Sequence, residues 1–145
     1  FGLSLAGQTS YGLREAGKDW TGNSTYLWAI SGAVYMSLLG PQGFKEVGEL
    51  IIQLSNYSSK KLSEIDGVRT CFNSKFFKEF LLNFDDTGLT VGEINKELRN
   101  RNIFGGKDLS KEYPQLGQSS LYCVTEVHTE QDIENLVQNL KEIIT

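Results

Sequence analysis

Few stretches of this sequence combine residue types and spacings that could do chemistry, and each has a plainer alternative. Gly105-Gly106-Lys107 sets a lysine after two glycines, as a phosphate-cradling loop does, because glycine lets backbone amides approach an anion. A true phosphate loop needs a glycine five residues earlier and a hydroxyl after the lysine, and Asp108 stands in that second place. The expectation is therefore a glycine turn leaving a strand. Asp85-Asp86 could hold a cation, yet the ligand spacing of an EF-hand is missing, and adjacent acids at a turn usually cap or face water. His128 is the single histidine, so neither a His-dependent triad nor a two-His metal site can be built from this chain alone, and a surface or interface position is expected for it. Cys71 and Cys123 fall inside strand-like patterns, where a free cysteine behaves as a small hydrophobe. Asn56-Tyr57-Ser58 matches a glycosylation sequon but falls within a helical pattern, which makes the match accidental.

A Schiff-base lysine works only when burial or a neighbouring cation depresses its ammonium pKa. Lys45, Lys60, Lys61 and Lys141 sit on the polar faces of amphipathic patterns, and Lys75 and Lys78 flank a turn. The residues alone thus describe a catalytically silent domain.

The elements that would position these residues follow from the pattern of apolar side chains. Residues 1–23 read as a strand remnant and loop, and 24–145 as a small domain. Asn23 or Ser24 can cap a helix through Leu39, where Gly40 offers a left-handed end and Pro41 suits the start of a second helix reaching Ile65. The first of these is apolar enough to be a buried helix. Val68–Phe72 and Phe77–Phe84 read as strands, the second with Phe80, Leu82 and Phe84 on one face. Thr90 with Glu93 forms a capping box that opens a helix ending near Asn102. Ile103-Phe104 then reads as a brief strand, 105–119 as a polar loop, and Leu121–Val127 as a buried strand. Thr129 with Asp132 caps a last helix on Ile133, Leu136, Leu140 and Ile143. This order of elements predicts an α+β fold, a two-layer sandwich of a small sheet covered by helices.

Composition bounds the function. The 145 residues hold 18 acidic and 14 basic side chains, a net charge of -4, which speaks against a basic surface for nucleic acid. The apolar run Tyr26–Leu39 falls short of the roughly 20 residues that cross a bilayer, so no membrane partner is expected. The chain opens on Phe1 without an initiator Met and reads as a piece of a longer protein.

Three segments carry a resemblance. Asp19-Trp-Thr-Gly-Asn-Ser-Thr-Tyr-Leu-Trp-Ala-Ile, Val34-Tyr-Met-Ser-Leu-Leu-Gly-Pro-Gln-Gly-Phe, and Ile103-Phe-Gly-Gly-Lys-Asp-Leu continuing through Glu112-Tyr-Pro-Gln-Leu to Tyr122-Cys-Val-Thr-Glu resemble the C-terminal region of glycine dehydrogenase (decarboxylating) subunit 1. This is the P-protein of the glycine cleavage system in its two-subunit form, and the first segment is most similar to archaeal members. The resemblance implies the small C-terminal domain of a fold-type-I pyridoxal phosphate enzyme, cytoplasmic, whose complete complex decarboxylates glycine and passes the aminomethyl group to the lipoyl H-protein. It implies subunit 2 as the partner and bearer of the cofactor lysine, and no cofactor on this piece. It also nominates Thr21, Asn23 and Ser24 as the residues nearest the cofactor or the subunit interface, against a plain helix-capping role. Many fold-type-I enzymes clamp the substrate carboxylate with an arginine at the last strand, and Gln118–Thr125 contains none. The competing reading is a stand-alone ferredoxin-like module for small-ligand binding or dimerisation. The resemblance further implies that residues 1–23 link to a large domain missing from this chain, and predicts an exposed apolar face on Tyr26–Leu39 where that domain would dock.

Overall fold

A computed structural model of the protein describes residues 26–144. The chain forms two compact units, Phe1–Phe44 and Lys45–Thr145. Helix α1 spans Tyr26–Ser63 and is interrupted at Gly40, whose φ of 61° and ψ of -179° are not helical. A Cβ at Gly40 would meet nothing within 4 Å, so the backbone angle, not space, requires glycine there. Pro41 follows directly, where its missing N–H costs a new helix nothing. The expected hinge between two helices is thus present.

The second unit is a four-stranded antiparallel sheet with helices. Strands β1 (Arg69–Thr70), β2 (Glu79–Asn83), β3 (Lys107–Asp108) and β4 (Ser119–Cys123) lie in the order β1-β2-β4-β3. The centre is β2 against β4, with Phe80 opposite Tyr122, Leu81 opposite Leu121 and Leu82 opposite Ser120. Successive side chains on a strand point to opposite faces, so Phe80, Leu82 and Tyr122 share one face. That face carries the core: Leu54 and Leu62 from α1, Ile94 and Leu98 from α2 (Val91–Asn100), and Ile133, Val137 and Leu140 from α3 (Glu130–Ile144). Phe80 and Tyr122 stack at 5.9 Å between ring centroids.

Both helix starts are capped as their sequences predict. The Thr90 hydroxyl accepts the Glu93 N–H, and Glu93 Oε2 accepts the Thr90 N–H at 2.9 Å. The Asp132 N–H donates to Thr129 Oγ1, and Asp132 Oδ2 accepts the Thr129 N–H at 2.8 Å. Hydrogen bonds from the threonines hold the carboxyls of Glu93 and Asp132 below their ordinary values.

Several boundaries differ from the sequence reading. Ile103-Phe104 is not a strand. The Asn102 N–H donates to the Arg99 carbonyl and the Ile103 N–H to the Leu98 carbonyl, while Asn102 takes φ 60°, so these residues close α2 in a Schellman motif. Asparagine tolerates the left-handed position that glycine usually fills. The brief strand lies instead at Lys107–Asp108, inside the expected loop. β4 begins at Ser119 and stops at Cys123, and Val127 is 75% exposed. Its first two residues are serines, of which Ser119 was expected in the loop. They are buried because Ser119 Oγ bonds the Leu116 carbonyl and Ser120 Oγ the Lys107 carbonyl. The last helix points Val137, rather than Leu136, fully into the core.

The sheet also fixes a close approach at Gly106. A Cβ there would sit 2.8 Å from both the Leu121 carbonyl oxygen and Tyr122 Cε2, and closer still to the Ser120 hydroxyl. A backbone carbonyl cannot swing aside. Gly106→Ala should therefore cost about 2–3 kcal/mol in urea unfolding, in the range of core overpacking. Gly48→Ala, in α1 with nothing within 4 Å of the added methyl, should gain about 0.5–1 kcal/mol.

Candidate functional site

The residues nominated from sequence sort into packing roles or fall outside view. Thr21, Asn23 and Ser24, with the strand remnant of 1–23, lie outside the described residues. Gly105-Gly106-Lys107 is a packed turn. Asn95 Nδ2 donates to the Gly106 carbonyl at 2.9 Å, and Lys107 Nζ pairs with Glu112. The Asp85-Asp86 pair faces Arg69, whose guanidinium lies 3.7 Å from Asp85 and 3.2 Å from Asp86. Asp85 also accepts the Gln118 N–H at 2.8 Å and Asn83 Nδ2 at 2.7 Å. These bonds, the Gln118 amide first, hold the Asp85 carboxyl below the ordinary aspartate value. The acids knit a turn and leave little for a cation. Among the described residues no cluster of three or more His, Cys, Asp or Glu is arranged to hold a metal.

Cys71 meets the Ser119 hydroxyl at 3.4 Å, whereas Cys123 is exposed at the end of β4, contrary to the buried role expected of it. His128 is half-buried, and its Nδ1 accepts the Thr125 N–H at 3.1 Å. Asn56 lies within α1, its side chain donating to the Ile52 carbonyl.

The described residues do not fit a Schiff-base site for pyridoxal phosphate. Their lysines are exposed, apart from half-buried Lys61, which lies 3.5 Å from Glu134. Glu134 also accepts the Tyr57 hydroxyl, an interaction that pushes the tyrosine up to about 12. None of the described lysines is buried. Of the described arginines, Arg69 faces Asp85 and Asp86, and Arg101 pairs with Glu142 at 2.6 Å.

What the sequence reading missed, or saw in part, is surface. In the first unit Tyr26, Leu27, Trp28, Ile30, Val34, Tyr35, Met36 and Leu38 are all exposed, Trp28 at 79% and Leu38 at 81%. This corrects the expectation of a buried helix and agrees with that of an exposed apolar face. Apolar surface of this extent marks an interaction site. In the second unit, the helices cover one face of the sheet only. On the other, Leu81 and Leu121 with Phe72, Leu109, Tyr113 and Leu116 line an open groove of about 520 Å³. The strand alternation around Leu81 was the available signal for it. No helix among the described residues is long and apolar enough to cross a membrane.

Comparison with known proteins gives these surfaces a context. The chain is 42% identical over 118 residues to the probable glycine dehydrogenase (decarboxylating) subunit 1 of Staphylothermus marinus, covering 81% of this chain and 25% of that protein. It is 39% identical over 144 residues to the protein of the same description from Saccharolobus islandicus, covering 99% of this chain and 30% of the relative. The chain thus spans under a third of the length of the curated relatives it matches. A crystal structure of glycine decarboxylase, the P-protein of the glycine cleavage system, in inhibitor-bound form superposes with a TM-score of 0.77 at 29% identity, over 97% of this chain and 31% of that one. Sphingosine-1-phosphate lyase of Burkholderia pseudomallei shares the fold at a TM-score of 0.58 and 20% identity. The fold is the small α+β domain of the fold-type-I pyridoxal phosphate enzymes. No protein-family model matches.

The Asp85 turn generates a pH prediction. A carboxyl whose folded pKa is depressed stabilises the fold above its unfolded pKa and loses that contribution as pH falls through the folded value. The urea midpoint of the chain should therefore drop on acidification below the ordinary aspartate range, and an Asp85→Asn variant should drop less. Asn83→Ala strips donors from Asp85, from the Leu116 carbonyl at 2.9 Å and from Ser119, and should cost about 2 kcal/mol at neutral pH.

Proposed function

Because this chain belongs to the glycine dehydrogenase (decarboxylating) subunit 1 family, we propose that it serves as the small α+β part of that subunit and supplies scaffold and subunit contacts. The activity is that of the complete two-subunit enzyme, which decarboxylates glycine and passes the aminomethyl group to the lipoyl H-protein. Pyridoxal phosphate acts in that chemistry as the electron sink, and its lysine belongs to subunit 2. The enzyme works in the cytoplasm. Thr21, Asn23 and Ser24 are the residues of this chain proposed to stand nearest the cofactor or the interface.

The observation that carries this reading is the 39% identity to subunit 1 over 99% of the chain. Two structural features support it. The described lysines lie outside any setting that would make a Schiff base, and the helix from Tyr26 to Leu39 exposes an apolar surface that a free-standing domain would bury. A contact role for that helix follows from the hydrophobic effect. Trp28 and Leu38 each have apolar area whose removal from water is worth about 25 cal/mol per Å².

The purified chain mixed with pyridoxal phosphate should show no stoichiometric cofactor absorbance, no borohydride-trapped adduct and no glycine-dependent CO2 exchange. A cofactor bound through one of its own lysines would overturn the proposal. In the assembled two-subunit enzyme, Leu38→Asp should weaken association about tenfold or more, because a charge then replaces apolar surface at the contact. Unchanged assembly would count against the contact role.

A further inference from the structure

The second unit contains a cavity of about 500 Å³, within the size range of small-molecule sites. It opens between the Schellman turn at Asn102–Gly106, the end of β4 and the start of α3. Ile103, Val124, Ile133 and Leu136 give it apolar walls. Ser58 of α1 also lines it, and the Ser58 hydroxyl is buried without a hydrogen-bond partner. A buried hydroxyl in that state has given up water and gained nothing in return, which in native structures calls for an explanation.

His128, with Asn102 and Asn135, adds polar groups to the wall. His128 Nδ1 lies 3.1 Å from the Thr125 nitrogen and 3.2 Å from the Thr125 carbonyl oxygen, so the backbone of that residue can satisfy Nδ1 as acceptor or as donor. Nε2 is then a second hydrogen-bonding atom, an acceptor in one tautomer and a donor in the other. Burial pushes the phenol of Tyr122, another wall residue, up to about 12, so it stays neutral. The one carboxylate of the lining is Asp132, already engaged by the Thr129 N–H and hydroxyl as the cap of α3. No lysine or arginine is among the described lining residues. An anion would find no counter-charge here, and a cation would have to compete with a helix cap.

We propose that this cavity is a binding site for an uncharged molecule with an apolar body and a carbonyl group, such as a carboxamide. In a carboxamide the carbonyl takes a hydrogen bond from the Ser58 hydroxyl, the amide group pairs with His128 Nε2 in whichever tautomer it holds, and the body packs on Ile103, Ile133 and Leu136. The site lies wholly in the second unit and does not depend on the proposed place of the chain in the enzyme.

The test is an NMR titration of the isotope-labelled chain with three probes of one shape: benzamide, benzoate and benzylammonium. Benzamide should shift the amide signals of Ser58, Gly105, Gly106 and His128 saturably, and each charged probe should bind at least about tenfold more weakly. Ser58→Ala supplies a readout that a merely structural hydroxyl would not give. Removing an unpaired buried hydroxyl leaves the ligand-free thermal midpoint unchanged or raised, while benzamide should bind about tenfold more weakly for want of one hydrogen bond. Leu136→Trp, which fills the cavity, should abolish the shifts. Absence of saturable shifts with benzamide, equal binding of the charged probes, or full binding by the Ser58→Ala chain would each overturn the proposal.

Discussion

The second unit depends on a sheet that is buried on one face. Phe80, Leu82 and Tyr122 must leave water, and five-residue strands can bury them only under helices. The second half of α1, with α2 and α3, supplies that cover, and the rest follows from placing it. Gly106 lacks a side chain because the turn after α2 must pass against the backbone of β4. Asn83, Asp85 and Ser119 use hydrogen bonds to close the end of β2 against the turn before β4. The capping boxes at Thr90 and Thr129 start two of the covering helices where the strands release the chain.

The same constraint explains why the domain reads as incomplete chemistry. Burying one face leaves Leu81 and Leu121 on the other, in an open apolar groove. The exposed helix from Tyr26 to Leu39 adds apolar surface in the first unit. Both features suit a part of a larger enzyme. The relatives it matches are more than three times longer, and the glycine decarboxylase structure aligns nearly all of this chain with under a third of its own.

Much of this was legible in the sequence because the signals were local. Helix periodicity, two capping boxes and the Gly40-Pro41 punctuation act within a few residues, and the structure repeats them. The misreadings came where a tertiary partner decides. Ile103 looks like a strand residue but closes a helix, because Asn102 accepts a left-handed backbone and the Ile103 N–H returns to Leu98. Ser119 reads as loop, and it and Ser120 become strand because carbonyls from elsewhere in the unit satisfy their hydroxyls. Exposure of the first helix was foreseen only through the resemblance, since apolar composition by itself argues for burial. The cavity wall could not have been anticipated, as Ser58, Asn102 and His128 are far apart in sequence and meet only through the fold.

The central claim is that this chain is a docking part of subunit 1, and hydrogen–deuterium exchange tests it most directly. Amides of the chain alone should be compared with the same segment in the assembled two-subunit enzyme. Residues 26–39 and the groove residues around Leu109–Leu116 should become strongly protected on assembly, while the solvent-facing amides of α2 should change little. Unaltered exchange over residues 26–39 in the assembled enzyme would contradict the account.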